Sequence, residues 1–177
     1  MSFIQLLFPD VFVQKVQDVN LEKLVQRGYD TIIFDLDNTL LGWRSKNFSD
    51  EVMNWINEAR KQNFKMCIVS NSLFKGRVNS LSKKVGLPAF FRAVKPSSKS
   101  FLQAIEFLRS EKNKTVIIGD QIFTDILGGN RTGLYTILVK PVEPREFFIT
   151  FFQRMGEKIV LYLFKNNKKK QQGNIKF

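Results

Sequence analysis

Between residues 31 and 139 the chain alternates short β-branched apolar runs with longer segments of helical periodicity, and few folds accommodate that alternation. The apolar runs are Thr31-Ile32-Ile33-Phe34 and residues 65–69, 115–118 and 135–139, each suited to a strand buried on both faces. Ser49 to Gln62 reads as a helix: Ser49 can cap it, Glu51 lies in its first turn, and Val52, Trp55, Ile56 and Ala59 form one stripe. Residues 73–84 read as a basic helix stopped near Gly86 and Pro88. A third helix, capped by Ser97 or Ser98, carries Phe101, Ile105 and Leu108, and a fourth spans 122–130 with Gly128-Gly129 near its end. The pattern predicts an α/β fold, a Rossmann-like parallel sheet with helices on both faces.

A length of 177 residues suits one such domain. We expect it to cover residues 1–164 and to close with an amphipathic helix at about 143–164, where Phe148, Phe151, Phe152, Met155, Ile159 and Tyr162 recur at helical spacing. Residues 165–177, with Lys168-Lys169-Lys170, read as a basic, disordered tail. The chain has no histidine, which excludes Ser-His-Asp and Cys-His mechanisms and any His-ligated metal. Chemistry must then run on carboxylates, hydroxyls, lysines and backbone. Cys67 lies in an apolar run and reads as a buried structural thiol, consistent with a reducing compartment. The net charge of +12 implies an anionic partner: nucleic acid, a membrane surface or a phosphorylated substrate. The first 13 residues lack the basic start and cleavage site of a signal peptide, and no uncharged apolar stretch is long enough to span a bilayer. A cytoplasmic protein, or one bound peripherally to the inner face of a membrane, is the expectation.

Four short motifs follow the predicted strands, and in an open parallel sheet the strand ends converge on the ligand crevice. In Phe34-Asp35-Leu36-Asp37-Asn38-Thr39-Leu40 two carboxylates at i and i+2 project to one side of an extended chain. Two neighbouring anions repel unless a cation joins them, and Mg²⁺ prefers such oxygen ligands. One carboxylate can attack phosphorus while the other shuttles protons. In Ile68-Val69-Ser70-Asn71-Ser72 a strand-end hydroxyl and the following backbone N–H groups suit a phosphate oxygen, with Ser70 and Asn71 as the candidates. Ala93-Val94-Lys95-Pro96 offers a fixed positive charge for a phosphoryl group. In Ile118-Gly119-Asp120-Gln121-Ile122-Phe123-Thr124-Asp125 the glycine permits close approach, and Asp120 and Asp125 can complete a metal shell. Taken singly, each motif equally suits a turn or a helix cap, and a lone lysine in so basic a chain says little. Their order and spacing carry the argument.

In that order and spacing the motifs resemble the haloacid dehalogenase (HAD) superfamily of phosphohydrolases, in its small YqeG-type branch (subfamily IIIA), over roughly residues 3–160. The run Gly119-Asp120-Gln121-Ile122-Phe123-Thr124-Asp125-Ile126-Leu127-Gly128-Gly129-Asn130-Arg131 carries most of the likeness to that branch. The resemblance implies Asp35 as nucleophile, Asp37 as general acid and base, and Ser70 and Lys95 on the phosphoryl group. It implies Mg²⁺ on Asp35, on Asp37 through its carbonyl, and on Asp120, with Asp125 beside them. Arg44 stands where members often have an acidic residue, and Ser72 where they tend to have Asn; both bear on substrate fit rather than on chemistry.

Only 32 residues separate Asp37 from Ser70, so no large cap domain fits there, and the stretch from Ser72 to Lys95 has room for one helix. An open site suits a phosphate presented on something large. The chain is also similar to the phosphatases that dephosphorylate phosphatidylglycerophosphate, which makes that lipid the favoured substrate. Phe3, Leu6, Leu7 and Phe8 at one end, and the Phe-rich helix and lysines at the other, are candidates for docking on anionic lipid. That helix equally suits packing on its own sheet or on a second subunit. Two alternatives stay open: a HAD phosphatase of a phosphorylated protein, nucleotide or sugar, and a nucleic-acid or ribosome-associated binding protein on a HAD scaffold. The intact set of Asp35, Asp37, Ser70, Lys95 and Asp120 disfavours the second.

Overall fold

The computed structural model describes residues 3–143. The expected helix at 143–164 and the tail beyond it lie outside the described residues, apart from Glu143. Six parallel strands form one sheet: β1 Val11–Val13, β2 Thr31–Phe34, β3 Lys65–Val69, β4 Ala89–Phe90, β5 Thr115–Gly119 and β6 Tyr135–Val139. Their spatial order is β1-β6-β5-β2-β3-β4. The helices are α1 Leu21–Gln26, α2 Asp50–Lys61, α3 Lys75–Val85, α4 Ser98–Phe107 and α5 Leu127–Thr132. No large cap interrupts the residues between Asp37 and Ser70, which hold one loop, α2 and β3.

Strand alternation sorts the core into two faces. Ile32, Phe34, Met66, Ile68, Val116 and Ile118 face one cluster with α1, α2 and α3. Ile33, Cys67, Val69 and Ile117 face the other, against Phe101, Ala104 and Ile105 of α4. Both faces of β2 are therefore covered, as its unbroken apolar run requires. Ser49 caps α2 by accepting from the Val52 N–H, and Trp55 donates its indole N–H to the Val19 carbonyl at 3.1 Å. Of the two serines that could cap α4 it is Ser97 that does, accepting from the Lys99 N–H. Gly86 ends α3 at φ 67°, in the left-handed region.

Two parts of the sequence reading need revision. Leu7, expected at a lipid surface, is buried against Ile122, Ile126, Leu127 and Leu138, with Leu6 and Phe8 packed on the same cluster. The Asn130 side chain fixes that segment by donating to the Leu6 and Phe8 carbonyls at 2.7 and 2.9 Å. The helix expected over 122–130 is present, but it opens with a π-turn, Ile122–Ile126, before continuing as α5. No helix among the described residues is long and apolar enough to cross a membrane.

Candidate active site

The sheet sets the site before any side chain does. From β2 the chain winds outward through β3 and β4, then returns across β2 to β5 and β6, so β2 and β5 flank the switch point of the topology. Ligands of open α/β sheets bind there, at the carboxyl ends of the strands. Phe34 pairs in register with Ile68 on one side and Ile118 on the other, so Asp35, Ser70 and Asp120 emerge at the same edge. The Asp35 N–H donates to the Ile118 carbonyl at 2.9 Å and continues the ladder one step into the site.

Leu36 is buried in the core, so the residues on either side of it turn toward the crevice. Asp35 is almost fully buried, and Asp37 lies nearer the mouth, where Arg77 of α3 pairs with its carboxylate at 2.7 Å. A second Arg77 nitrogen donates to the Trp43 and Ser45 carbonyls at 2.9 and 3.3 Å, tying α3 to the loop that carries Asp37. Neither motif nor spacing signals Arg77 in the sequence. Thr39, quoted above without a role, is buried between two carboxylates, its hydroxyl 3.4 Å from Asp35 and 3.5 Å from Asp120.

Lys95 is the hub. Its Nζ lies 2.5 Å from Asp35 Oδ1 and 2.7 Å from Asp125 Oδ1, and all three residues are buried. Burial alone would lower the Lys95 pKa, but Asp125 and Asp35 outweigh it and hold the ammonium charged well above its ordinary range. Burial pushes the Asp125 carboxyl up, to about 6, against the pull of Lys95, and the charge of Asp35 adds to the rise.

The path to Lys95 is unusual. Ser70 is buried and receives β4 through Phe90 and Ala93, with its N–H on the Phe90 carbonyl and its own carbonyl accepting from Ala93. Arg92 and Val94 then adopt φ of 51° and 55°, and the Lys95–Pro96 peptide is cis. The left-handed region is costly for a β-branched residue such as Val94, and strain of that kind collects at functional sites. Asn71 holds the result in place: its side chain accepts from the Lys95 N–H at 2.8 Å and donates to the Lys95 carbonyl at 3.2 Å. The Asn71 side chain is thus engaged with the lysine backbone, while Ser70 Oγ accepts from the Ser72 N–H at 3.1 Å.

The π-turn explains how Asp125 reaches the hub. The Asp125 and Ile126 N–H groups both donate to the Gln121 carbonyl, and Asp125 Oδ2 accepts from the Gln121 N–H at 3.1 Å. The widened turn directs the carboxylate inward, as single π-turns often do at functional sites. Carboxylate oxygens of Asp35, Asp120 and Asp125 lie within 4.8 Å of one another. Hard oxygen donors crowded this closely fit a divalent cation. Beside them a cleft of about 250 Å³ opens to solvent, with Asp35, Asp37, Trp43, Ser70 and Gln121 on its walls. A larger groove of about 600 Å³ is lined by Thr39 to Gly42 and by Lys140 to Glu143, and none of Asp35, Asp120 and Asp125 lines it.

The probable phosphatase YqeG of Bacillus subtilis (strain 168) is 41% identical over 153 residues, covering 86% of this chain and 88% of that protein. The chain belongs to the YqeG family of HAD phosphatases. The HAD-hydrolase-like family model matches residues 93–141, the part that holds Lys95, Asp120 and Asp125. The phosphatidylglycerophosphate phosphatase 1, chloroplastic/mitochondrial, of Arabidopsis thaliana is 24% identical over 150 residues, covering 80% of this chain and 43% of that longer protein. A crystal structure of an uncharacterized protein from Listeria monocytogenes serotype 4b matches with a TM-score of 0.53 at 16% identity. It covers 66% of this chain and 84% of its own, and it shares the fold.

Proposed function

We propose that this YqeG-family phosphatase hydrolyses phosphomonoesters with Mg²⁺ through an aspartyl-phosphate on Asp35, and that its favoured substrate is phosphatidylglycerophosphate at a membrane surface. The observation that carries the proposal is the cluster of Asp35, Asp120 and Asp125 at the switch point of the sheet, with Asp35 and Asp125 paired to Lys95.

In this reading an Asp35 oxygen attacks phosphorus from the floor of the cleft, and the bond from phosphorus to the ester oxygen breaks. Asp37 gives its proton to the departing alkoxide. It then takes a proton from water, whose oxygen attacks the phosphoryl group and cleaves the bond to Asp35, releasing inorganic phosphate. Arg77 pairs with the Asp37 carboxylate in the resting site, and that pair must open for the acid step. Ser70 and the N–H groups after it receive phosphoryl oxygens, Lys95 offsets their charge, and Asn71 keeps Lys95 in place. Asp35, Asp120 and the Asp37 carbonyl would hold Mg²⁺, with Asp125 next to it and on Lys95. Bound there, the cation supplies Lewis-acid stabilisation of the transferring group.

The lipid substrate rests on the similarity to the Arabidopsis enzyme and on the open mouth, which leaves room for a headgroup still anchored in a bilayer. Phosphate release from phosphatidylglycerophosphate in mixed micelles, with and without Mg²⁺ and with Asp35→Asn as blank, tests both parts. Metal-dependent release lost in the variant is the expected result. Turnover of a soluble ester alone would discard the lipid and keep the chemistry.

A further inference from the structure

The lip of the cleft is apolar where a surface loop would ordinarily be polar. Leu73 and Phe74, immediately after the Ser70 motif, are 68% and 73% exposed, and Val94, next to Lys95, is 73% exposed. The Arg92 N–H donates to the Ser72 carbonyl at 3.2 Å, which lays the Val94 segment alongside the Leu73 loop. Exposed apolar side chains clustered at one place mark an interaction site more often than scattered ones do.

The charge around the lip has one sign. From Ala59 to Ile105 the chain contains ten Lys and Arg residues and no Asp or Glu, a stretch that includes β3, α3, β4 and most of α4. Exposed Lys75 and Arg92 come from this stretch, and Arg44 stacks over the Trp43 ring beside the cleft at 5.1 Å.

We infer that the Leu73–Phe74–Val94 lip, with Arg44, Lys75 and Arg92 around it, docks on an anionic lipid bilayer and sets the cleft against phosphate headgroups. Apolar tips within a basic collar match such a surface: the tips enter the acyl boundary while the cations stay among the headgroups. Of the three lip residues only Phe74 has a ring to stack on a base, where a single-stranded nucleic acid would call for a series of them. A second copy of the chain would bring the same positive face against itself. The inference extends the lipid-phosphate reading above, but it is measured without substrate.

Buried Cys67 leaves an introduced thiol as the accessible one, so full-length Phe74→Cys and Phe107→Cys can each carry an environment-sensitive nitrobenzoxadiazole label. Phe107 is exposed at the far end of α4 from Lys95 and serves as the reference. With vesicles of phosphatidylglycerol and phosphatidylcholine, emission from position 74 should rise about threefold as the probe enters the acyl boundary. Position 107 should stay silent, and so should both labels with phosphatidylcholine alone. Leu73→Cys should repeat the response of position 74. Vesicle binding with a silent position 74 would overturn the inference, as would no binding, or a response to oligonucleotide but not to vesicles. Because these vesicles contain no phosphomonoester, a failed substrate would appear separately, as a label that inserts in a protein that does not hydrolyse phosphatidylglycerophosphate.

Discussion

A methyl group on Gly119 would stand 2.4 Å from the carboxyl carbon of Asp125. Asp125 has no solvent exposure and is tied to Lys95 and to the Gln121 N–H, so it cannot yield without leaving the site. The glycine before the acidic residue is a condition for the hub itself.

Gly119→Ala should therefore cost about 1–3 kcal/mol, the usual range for overpacking, and reduce turnover further by displacing Asp125. Gly76 in α3, where an added methyl would meet nothing within 4 Å, is the control. Gly76→Ala should raise stability by roughly 0.5–1 kcal/mol. Denaturation midpoints and kcat for the two variants, side by side, check the contrast.

Removing the central charge should expose the repulsion that it balances. Lys95→Met leaves Asp35 and Asp125 buried together, and we expect a loss of about 3–5 kcal/mol in metal-free buffer. Mg²⁺ should then raise Tm more in the variant than in the wild type, because the cation substitutes for the missing ammonium. Chelator followed by Mg²⁺, read by thermal melts, tests this.

Asn71 acts through Lys95. Each of its two hydrogen bonds to the lysine backbone is worth about 0.5–1.5 kcal/mol. Asn71→Ala should lower kcat roughly tenfold and destabilise the fold by about 1–3 kcal/mol, the sum of the two bonds, read as a lower Tm. Asn71→Asp keeps an acceptor for the Lys95 N–H and should recover part of that loss.

The strands of the central sheet follow directly from their composition, since Ile32-Ile33 or Ile117-Ile118 can be satisfied only where both faces are covered. Val11–Val13 and Ala89–Phe90 escape the same reasoning because they are short, part-buried edge strands defined by their partners β6 and β3. The i and i+2 spacing of Asp35 and Asp37 correctly places both at the crevice, but their surroundings diverge. Asp35 meets Lys95, which is distant in sequence, and Asp37 meets Arg77, which no motif marks. The π-turn is also hidden from the sequence, because Ile122 to Ile126 has ordinary helical periodicity and only the bonds to Gln121 reveal the extra residue in the turn.

Cys67 gives a pH signature remote from the carboxylates. Burial pushes its thiol from 9.0 up to about 12 in the folded protein. The folded state holds a proton that the unfolded chain releases, so the contribution is complete below about pH 9 and is lost as pH rises toward 12. Cys67→Ala should remove that slope from urea melts. Native protein should also resist iodoacetamide at neutral pH and react once unfolded.

The central claim is that Asp35 carries the phosphoryl group, and trapping tests it most directly. In Asp37→Asn the base for hydrolysis is missing, so a reactive phosphate ester with Mg²⁺ should leave phosphate on the enzyme after acid quench. Mass spectrometry of the peptide containing residues 31–41 should place it on Asp35, with sensitivity to hydroxylamine, and Asp35→Asn should show none. A phosphoryl group on another residue, or full turnover by Asp35→Asn, would contradict the account.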